Sequence, residues 1–505
     1  MCVSLARGVH CSGGEVQVQH KEFDVVIVGY GPVGATLANL LGMQKLSLLV
    51  IEREGSVYHQ PRAGHMDGEV VRIFQSVGLA DEIVATAYVN PGMRFVNAAG
   101  ELILDWPRPK EPGPEGWHPS YRFHQPALET SLRRGVSGMP DVSVLLRHEA
   151  VRIEGKGDRV IVGIRDLEGG EERQVAARYV VGCDGARSTV RRAMGVELED
   201  LKSHQQWLIV DVGFTQGPDT LPVETIQYCD PARPVTMAKM VGNRRRWEFM
   251  LMPGEKPEEM ARPEAYWPLL ERWTTPEAAT VERAVVYTFH SVIAGDWRRG
   301  RMLLAGDACH QTPPFMGQGM CAGIRDAANL AWKLGAVLRG RAPEALLDTY
   351  QSERAPHVRT FIETAVRLGN LVNVTDADAA DRRDAMLRRE PQVMKTPAPP
   401  LGPGLSGTAA PPAGTRARQL VLADGRRSDD AVGPGFGLFA RAGLAAAIDT
   451  DLPVFTDGDP AVDAWLDELG ATAVVVRPDR YILGIANDAA ALSALLARIP
   501  VLEVA

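Results

Sequence analysis

A chain of 505 residues exceeds one ordinary core, so two or three domains are expected. Hydrophobic residues make up 45% and charged residues 23%, a globular mixture rather than a disordered one. A net charge of −8 leaves no basic footprint for nucleic acid or an anionic membrane surface. The six cysteines (Cys2, Cys11, Cys183, Cys229, Cys309 and Cys321) follow neither CxxC nor zinc spacing. Reduced thiols, no metal centre and a cytoplasmic location are therefore expected.

Residues 1–22 lack the apolar run of a signal peptide and are predicted to be a flexible tail. No segment approaches the roughly 20 apolar residues of a membrane span. The apolar run 23–28 predicts a buried strand that meets a glycine turn, 35–41 a helix, and 46–51 a second buried strand, together a βαβ unit. Helices are expected at 69–77 and 125–134, and strands at 143–146, 151–153, 159–164 and 174–181. Alternation over 208–214 and 236–252 predicts a half-exposed antiparallel sheet. A long helix is expected at 323–338, with Ile324, Ala327, Ala328, Ala331 and Leu334 at helical spacing. Residues 391–414, rich in Pro, Gly and Ala, read as a linker, and 415–505 as a small α/β domain.

Gly29-Tyr30-Gly31-Pro32-Val33-Gly34 is a GxGxxG between that first strand and its helix. Gly29 permits the tight turn, Gly31 lets backbone N–H groups approach a pyrophosphate, and Gly34 lets helix and strand pack closely. The helix N-terminus then faces the phosphate charge. Glu52, at the end of the second strand, stands where a carboxylate accepts hydrogen bonds from ribose hydroxyls. A second match, Gly402 to Gly407, lies in the Pro-rich stretch without a strand before it and is read as accidental. The motif predicts a dinucleotide without choosing between FAD and NAD.

Two later segments make that choice by resemblance. Residues 179–188 (YVVGCDGARS), with Asp184, resemble the Asp-Gly motif of flavin-dependent aromatic hydroxylases. Residues 300–310 (GRMLLAGDACH), with Asp307, and 313–320 (PPFMGQGM) resemble the Gly-Asp motif of that family and its continuation. The likeness spans about residues 23–370. Within the family, 61–69 (PRAGHMDGE) and 317–334 (GQGMCAGIRDAANLAWKL) are similar to the 3-(3-hydroxyphenyl)propionate hydroxylase group. The chain from Gly414 resembles the thioredoxin-like C-terminal domain of such enzymes. It holds no cysteine after Cys321, which excludes a redox role and leaves packing or oligomer contact, compatible with a homodimer.

The resemblance implies an α/β fold: a Rossmann-like FAD-binding domain (23–200 and 295–390), an inserted β-sheet substrate domain (201–294) and the thioredoxin-like domain. It also implies the reaction. NADH or NADPH reduces FAD, molecular oxygen adds as a peroxide, and one oxygen passes to a phenolic ring. Gly29, Gly31, Pro32, Val33, Gly34, Glu52 and Asp307 would hold FAD, with Arg53, Arg62 and Gln125 beside it and Asp184 serving FAD or nicotinamide. Gly317, Gln318, Gly319 and Met320 would lie by the cofactor and lead into the long helix, whose amide dipoles would stabilise negative charge on the flavin ring, and Pro314 would stand at the ring's reactive edge. Relatives place a base just after Pro-Arg-Ala, but Gly64 holds that position here, which leaves His65 and Asp67 as candidates. His310 reads as structural, and Arg244, Arg245 and Arg246 as a solvated charge run. The implied substrate is a phenol with a short carboxylic side chain, or else a polyketide or resorcinol-type phenol. A non-oxygenating FAD reductase and a flavin-binding protein are the rival readings.

Overall fold

The computed structural model describes residues 18–217, 220–389, 393–407 and 410–500. One eight-stranded sheet carries a parallel core in the order Met302–Leu304, Glu172–Gly182, Val18–Val28, Leu48–Glu52, Val142–Leu146. Val25, Val26, Ile27, Leu48 and Val50 have no exposed surface, as expected of parallel strands covered on both faces. Helices Pro32–Gly42 and Gly319–Leu338 pack together against it. The second strand of the hairpin His148–Lys156 and Arg159–Asp166 adds antiparallel to Glu172–Gly182.

The first strand starts at Val18, where it pairs with Gln174, so residues 18–22 of the expected tail belong to the sheet. The polar sequence there has no apolar run to announce a strand. Residues 1–17 lie outside the described residues.

A second eight-stranded sheet has the order His310–Gln311, Ala279–Ala294, Leu198–Phe214, Arg244–Met250, Val235–Lys239, Thr225–Tyr228, Gly92–Val96, Leu102–Pro107. It is not confined to 201–294: the strands at 92–107 and 310–311 extend it at both edges. The sequences at 92–96 (GMRFV) and 102–107 (LILDWP) do not alternate strictly between apolar and polar residues. One face packs Trp247, Phe249 and Leu208 against Tyr266 and Leu270. The other packs Trp207, Ile209, Phe95 and Trp106 against Phe315, Met316 and Phe361, and so faces the first sheet's domain.

Residues 437–486 form a four-stranded sheet ordered Val454–Thr456, Gly437–Ala440, Ala473–Val476, Ile482–Ala486, with one parallel and two antiparallel pairings. Helices Pro460–Leu469 and Ala489–Leu496 accompany this sheet, which makes the region a small α/β unit. The segment before it is packed rather than loose. Gly402 N–H donates to Glu353 O (2.9 Å) and Leu405 N–H to Glu353 Oε1 (2.9 Å). A Cβ on Gly402 would meet Ser352 O at 2.2 Å, so the second GxGxxG serves close approach to helix Asp348–Val372. Among the described residues no helix is long and apolar enough to cross a membrane.

Candidate functional site

The site forms at the carboxyl ends of the parallel strands, where open α/β sheets place their ligands. Gly29 turns the chain with φ +99°, and a Cβ there would lie 2.4 Å from Cys183 O. A Cβ on Gly34 would lie 2.0 Å from Gly29 O, so helix and turn could not close on a side chain. Gly31 has nothing within 4 Å of its Cβ direction, and Pro32 starts the helix. Val33 fills the space beneath Gly306 and Gly323, where a Cβ would come within 3.0 and 2.6 Å of its Cγ2. The first turn, the Gly-Asp turn and the long helix therefore converge on one cleft.

Asp307 sits in the tight turn Gly306–Ala308 that follows strand Met302–Leu304. Its carboxylate is open to solvent and makes no hydrogen bond among the described residues. Desolvation by the surrounding protein nevertheless raises its pKa, against the pull of His310 and Arg62. Gly319, at the start of the 20-residue helix Gly319–Leu338, also has an open Cβ side, and Met320 beside it is half-buried. Open backbone at Gly31 and Gly319, two helix N-termini and an unpartnered carboxylate suit a ligand bearing phosphates and hydroxyls, as FAD does.

Glu52 is 8% exposed and accepts the N–H groups of Tyr30 (2.7 Å) and Glu54 (2.9 Å), which fixes the glycine turn from behind. Each oxygen keeps a lone pair for a ribose hydroxyl. Gln125 Oε1 accepts the N–H groups of Arg62 (2.8 Å) and Ala63 (2.7 Å), and so shapes the 61–64 loop. Asp184 Oδ2 accepts from Thr189 N–H (2.6 Å) and caps the following helix, while its Oδ1 is buried without a partner. Arg62 is exposed over the Tyr58 ring and acts electrostatically on Asp307, whereas Arg53 pairs with Glu54 on the surface.

The structure does not favour either candidate base. His65 is 6% exposed, its Nδ1 3.2 Å from Gly317 O and its Nε2 2.9 Å from Ser120 Oγ. A carbonyl only accepts, so Nδ1 carries the proton and Nε2 takes the serine hydroxyl. Burial, then Arg122, pushes the pKa of His65 down to about 3. Asp67 caps helix Gly68–Gln75 through Val70 N–H (3.1 Å) and is bound by Arg325 (2.5 Å). Burial would raise it, but Arg325 holds it below the usual carboxylate range. Both are engaged as braces, and His65 braces Gly317, whose Cβ would lie 2.9 Å from the His65 Cβ. Pro314 opens the half-buried turn Pro314–Met316 next to that brace.

His65 binds fewer protons folded than unfolded between about pH 3 and 6.5. Its contribution is therefore complete above 6.5 and lost as the pH falls. The urea midpoint should drop between about pH 7 and about pH 5, and His65→Gln should flatten part of that drop. An unchanged pH slope in the variant would remove His65 from the account. His357, also buried and lowered, supplies a remainder of the same sign.

Several site residues escaped sequence reasoning. Arg325 binds Asp67, Glu69 Oε2 (2.6 Å) and Gln318 Oε1 (3.1 Å), tying the start of the long helix to the His65 loop. The arginine run is a correction. Only Arg244 is a half-exposed pair, with Glu282; Arg245 and Arg246 are 4% and 6% exposed. Arg246 binds Asp211 (2.7 Å) and donates to the carbonyls of Pro61 (2.7 Å) and Arg62 (2.8 Å). The alternation of RRRWEFM as a strand was the signal that sends neighbouring arginines to opposite faces. His310 Nε2 lies 2.6 Å from Asp326, which also takes Gly306 N–H (3.1 Å) and Arg354 Nε (3.0 Å). With Cys309 these residues have metal-like spacing, yet Arg354 occupies the cationic place and the cluster braces the Gly-Asp turn.

Residues 22–365 match the family described as "FAD binding domain". The chain is 37% identical to a "Probable NADH-specific resorcinol 4-hydroxylase" of Rhodococcus jostii (strain RHA1), over 94% of each chain. It is 34% identical to a 3-(3-hydroxy-phenyl)propionate/3-hydroxycinnamic acid hydroxylase of Mycobacterium sp. (strain KMS), over 91% of this chain and 88% of that one. Among solved structures, the flavin-dependent monooxygenase PieE in complex with FAD and substrate superposes with a TM-score of 0.81 at 23% identity, over 95% of this chain and 99% of that one. At that identity the superposition speaks for the fold. The matched family, the two relatives and the cleft built on Gly29–Gly34 and Asp307 agree: this chain belongs to the family of FAD-dependent aromatic hydroxylases.

Proposed function

We propose that this protein hydroxylates a phenol bearing a short carboxylic side chain, using oxygen and NADH, in the cytoplasm. Bound FAD supplies the redox chemistry, taking a hydride from the nicotinamide and activating oxygen for transfer. Gly29, Gly31, Pro32, Val33 and Gly34 receive the pyrophosphate, Glu52 a ribose, and Asp307 the ribityl hydroxyls. Pro314 and Gly317–Met320 border the flavin ring, and the helix behind them favours negative charge on it. Asp184 and Arg62 stand at the rim, and Gln125 acts through the 61–64 loop. The observation that supports this reading is Asp307: an accessible carboxylate with no hydrogen bond among the described residues, in the turn whose Gly306 packs on Val33 of the glycine turn.

The sheet face opposite Pro314–Met316 supports the aromatic substrate. Trp207 meets Phe315 edge-on at 5.7 Å, and Phe95 and Trp106 continue an apolar wall that keeps water from the reacting ring. Arg122 bridges from this wall to the His65 strand, donating to Thr225 Oγ1 (2.5 Å), while its buried Nε has no partner. A guanidinium so placed favours a substrate carboxylate over plain resorcinol. Resorcinol is the second candidate, on the name of the Rhodococcus relative. NADH oxidation measured against 3-(3-hydroxyphenyl)propionate, resorcinol and phenol, with product and hydrogen peroxide quantified, tests the reading. The carboxylate-bearing phenol should give the highest kcat/KM with matching hydroxylated product; peroxide alone from every phenol would contradict it.

A further inference from the structure

His65 and Asp67, after Pro-Arg-Ala, are engaged by Gly317, Ser120 and Arg325, and a further carboxylate stands on the second sheet. Residues directly opposite one another in a sheet share a face. The pairings Phe95–Gln227, Gln227–Thr236, Thr236–Glu248 and Glu248–Ile209 therefore form one row. Phe95 and Ile209, in that row, pack in the cluster that contains Phe315 and Met316. Glu248 thus projects from the face turned towards the Pro314–Met316 segment. Its strand neighbours Trp247 and Phe249 go to the opposite core.

Glu248 is half-buried and makes neither a hydrogen bond nor an ion pair among the described residues. The guanidinium groups around it direct several donors elsewhere, while Arg283 Nε and Nη1 and Arg122 Nε have no partner among the described residues. Arg246 gives Nε and one Nη2 proton to Asp211, the other Nη2 proton to the Pro61 carbonyl and one Nη1 proton to the Arg62 carbonyl. Arg283 gives Nη2 to Asp211 (2.7 Å), and Arg122 gives Nη2 to Thr225. Thr236 donates to Gln227 Oε1 at 2.6 Å. A half-buried carboxylate on this face that makes no hydrogen bond among the described residues is open to a ligand proton. Burial raises its pKa, with Asp211 adding to the rise and Arg246, Arg122 and Arg283 opposing it. A raised carboxyl is the better acceptor from a phenol, whose own pKa is about 10.

We propose that Glu248 is the catalytic base that takes the phenolic proton before oxygen transfer. The O–H bond of the substrate breaks, the proton passes to a Glu248 carboxylate oxygen, and the electron pair stays on the phenolate oxygen. That charge enriches the ring carbons ortho and para to it. The inference rests on the hydroxylase reading above.

The test is the pH profile of product formation from 3-(3-hydroxyphenyl)propionate and resorcinol by wild type, Glu248→Gln and Glu248→Asp. Glu248→Gln should lose about 10²-fold or more in kcat at neutral pH. Its rate should climb tenfold per pH unit towards the phenol's own ionisation, because hydroxide then does what the carboxylate did. Glu248→Asp should recover part of the neutral-pH rate. A Gln variant as fast as wild type at neutral pH, or one whose loss stays constant up to alkaline pH, would overturn the assignment. Failure of the underlying reading looks different: wild type itself would then form no hydroxylated product.

Discussion

Replacing Arg325 with methionine is expected to destabilise the protein by about 3–5 kcal/mol, the usual result of leaving buried charges without their partner. Arg325 is 4% exposed and holds both Asp67 and Glu69, which are themselves buried. Without it the two carboxyls repel each other in a dry site. Arg416, 3.5 Å from Glu69, reaches only one of them. The loss should extend beyond the local helix, because Tyr481 of the C-terminal domain donates to Glu69 Oε1 at 2.6 Å. Tyr481→Phe, which removes one hydrogen bond to a charged acceptor, should cost less, about 1.5–3 kcal/mol. Urea unfolding of the two variants checks the order; equal costs would mean that the Arg325 cluster is not the dominant contact. The same cluster explains what a C-terminal unit without cysteines contributes. Arg72 with Asp429, Arg477 with Glu353 and Tyr481 with Glu69 are buried links to the FAD-binding core.

Asp307→Ala should produce the opposite pattern, a large loss of cofactor with little loss of stability. A carboxylate accepting hydrogen bonds from hydroxyls contributes about 1.5–3 kcal/mol per bond, so FAD should bind on the order of 10²-fold more weakly. No protein group loses a hydrogen bond, because Asp307 makes none among the described residues. Removing a carboxylate whose pKa burial raises should leave the apoprotein as stable as before, or slightly more stable. The flavin absorbance that survives gel filtration, and the urea midpoint of the apoprotein, measure the two halves. Full retention of FAD by the variant would dismiss Asp307 as the ribityl ligand.

Most of the fold was legible because its strands and helices carry their own patterns. The apolar runs at 23–28 and 46–51, the glycine turn between them and the spacing of Ile324 to Leu334 correspond to elements at Val18–Val28, Leu48–Glu52 and Gly319–Leu338. The long helix starts earlier than its periodicity, at Gly319, because a glycine-rich turn has no apolar face to announce it. The candidate site was legible where backbone geometry dictates residue type, as at Gly29 and Gly34. It was illegible where long-range contacts decide. Nothing in PRAGHMDGE shows that Asp67 is bound by an arginine far along the chain, or that His65 is enclosed between Ser120 and Gly317. Glu248 was passed over for the same reason: its place depends on the register of four strands.

Hydroxylation under labelled oxygen tests the central claim most directly. With 18O2, NADH and 3-(3-hydroxyphenyl)propionate, mass spectrometry of the product should show a single labelled oxygen on the ring, formed in equal amount to the NADH consumed. A product hydroxyl carrying oxygen from water, or NADH consumption that yields only labelled peroxide with each phenol tested, would contradict it.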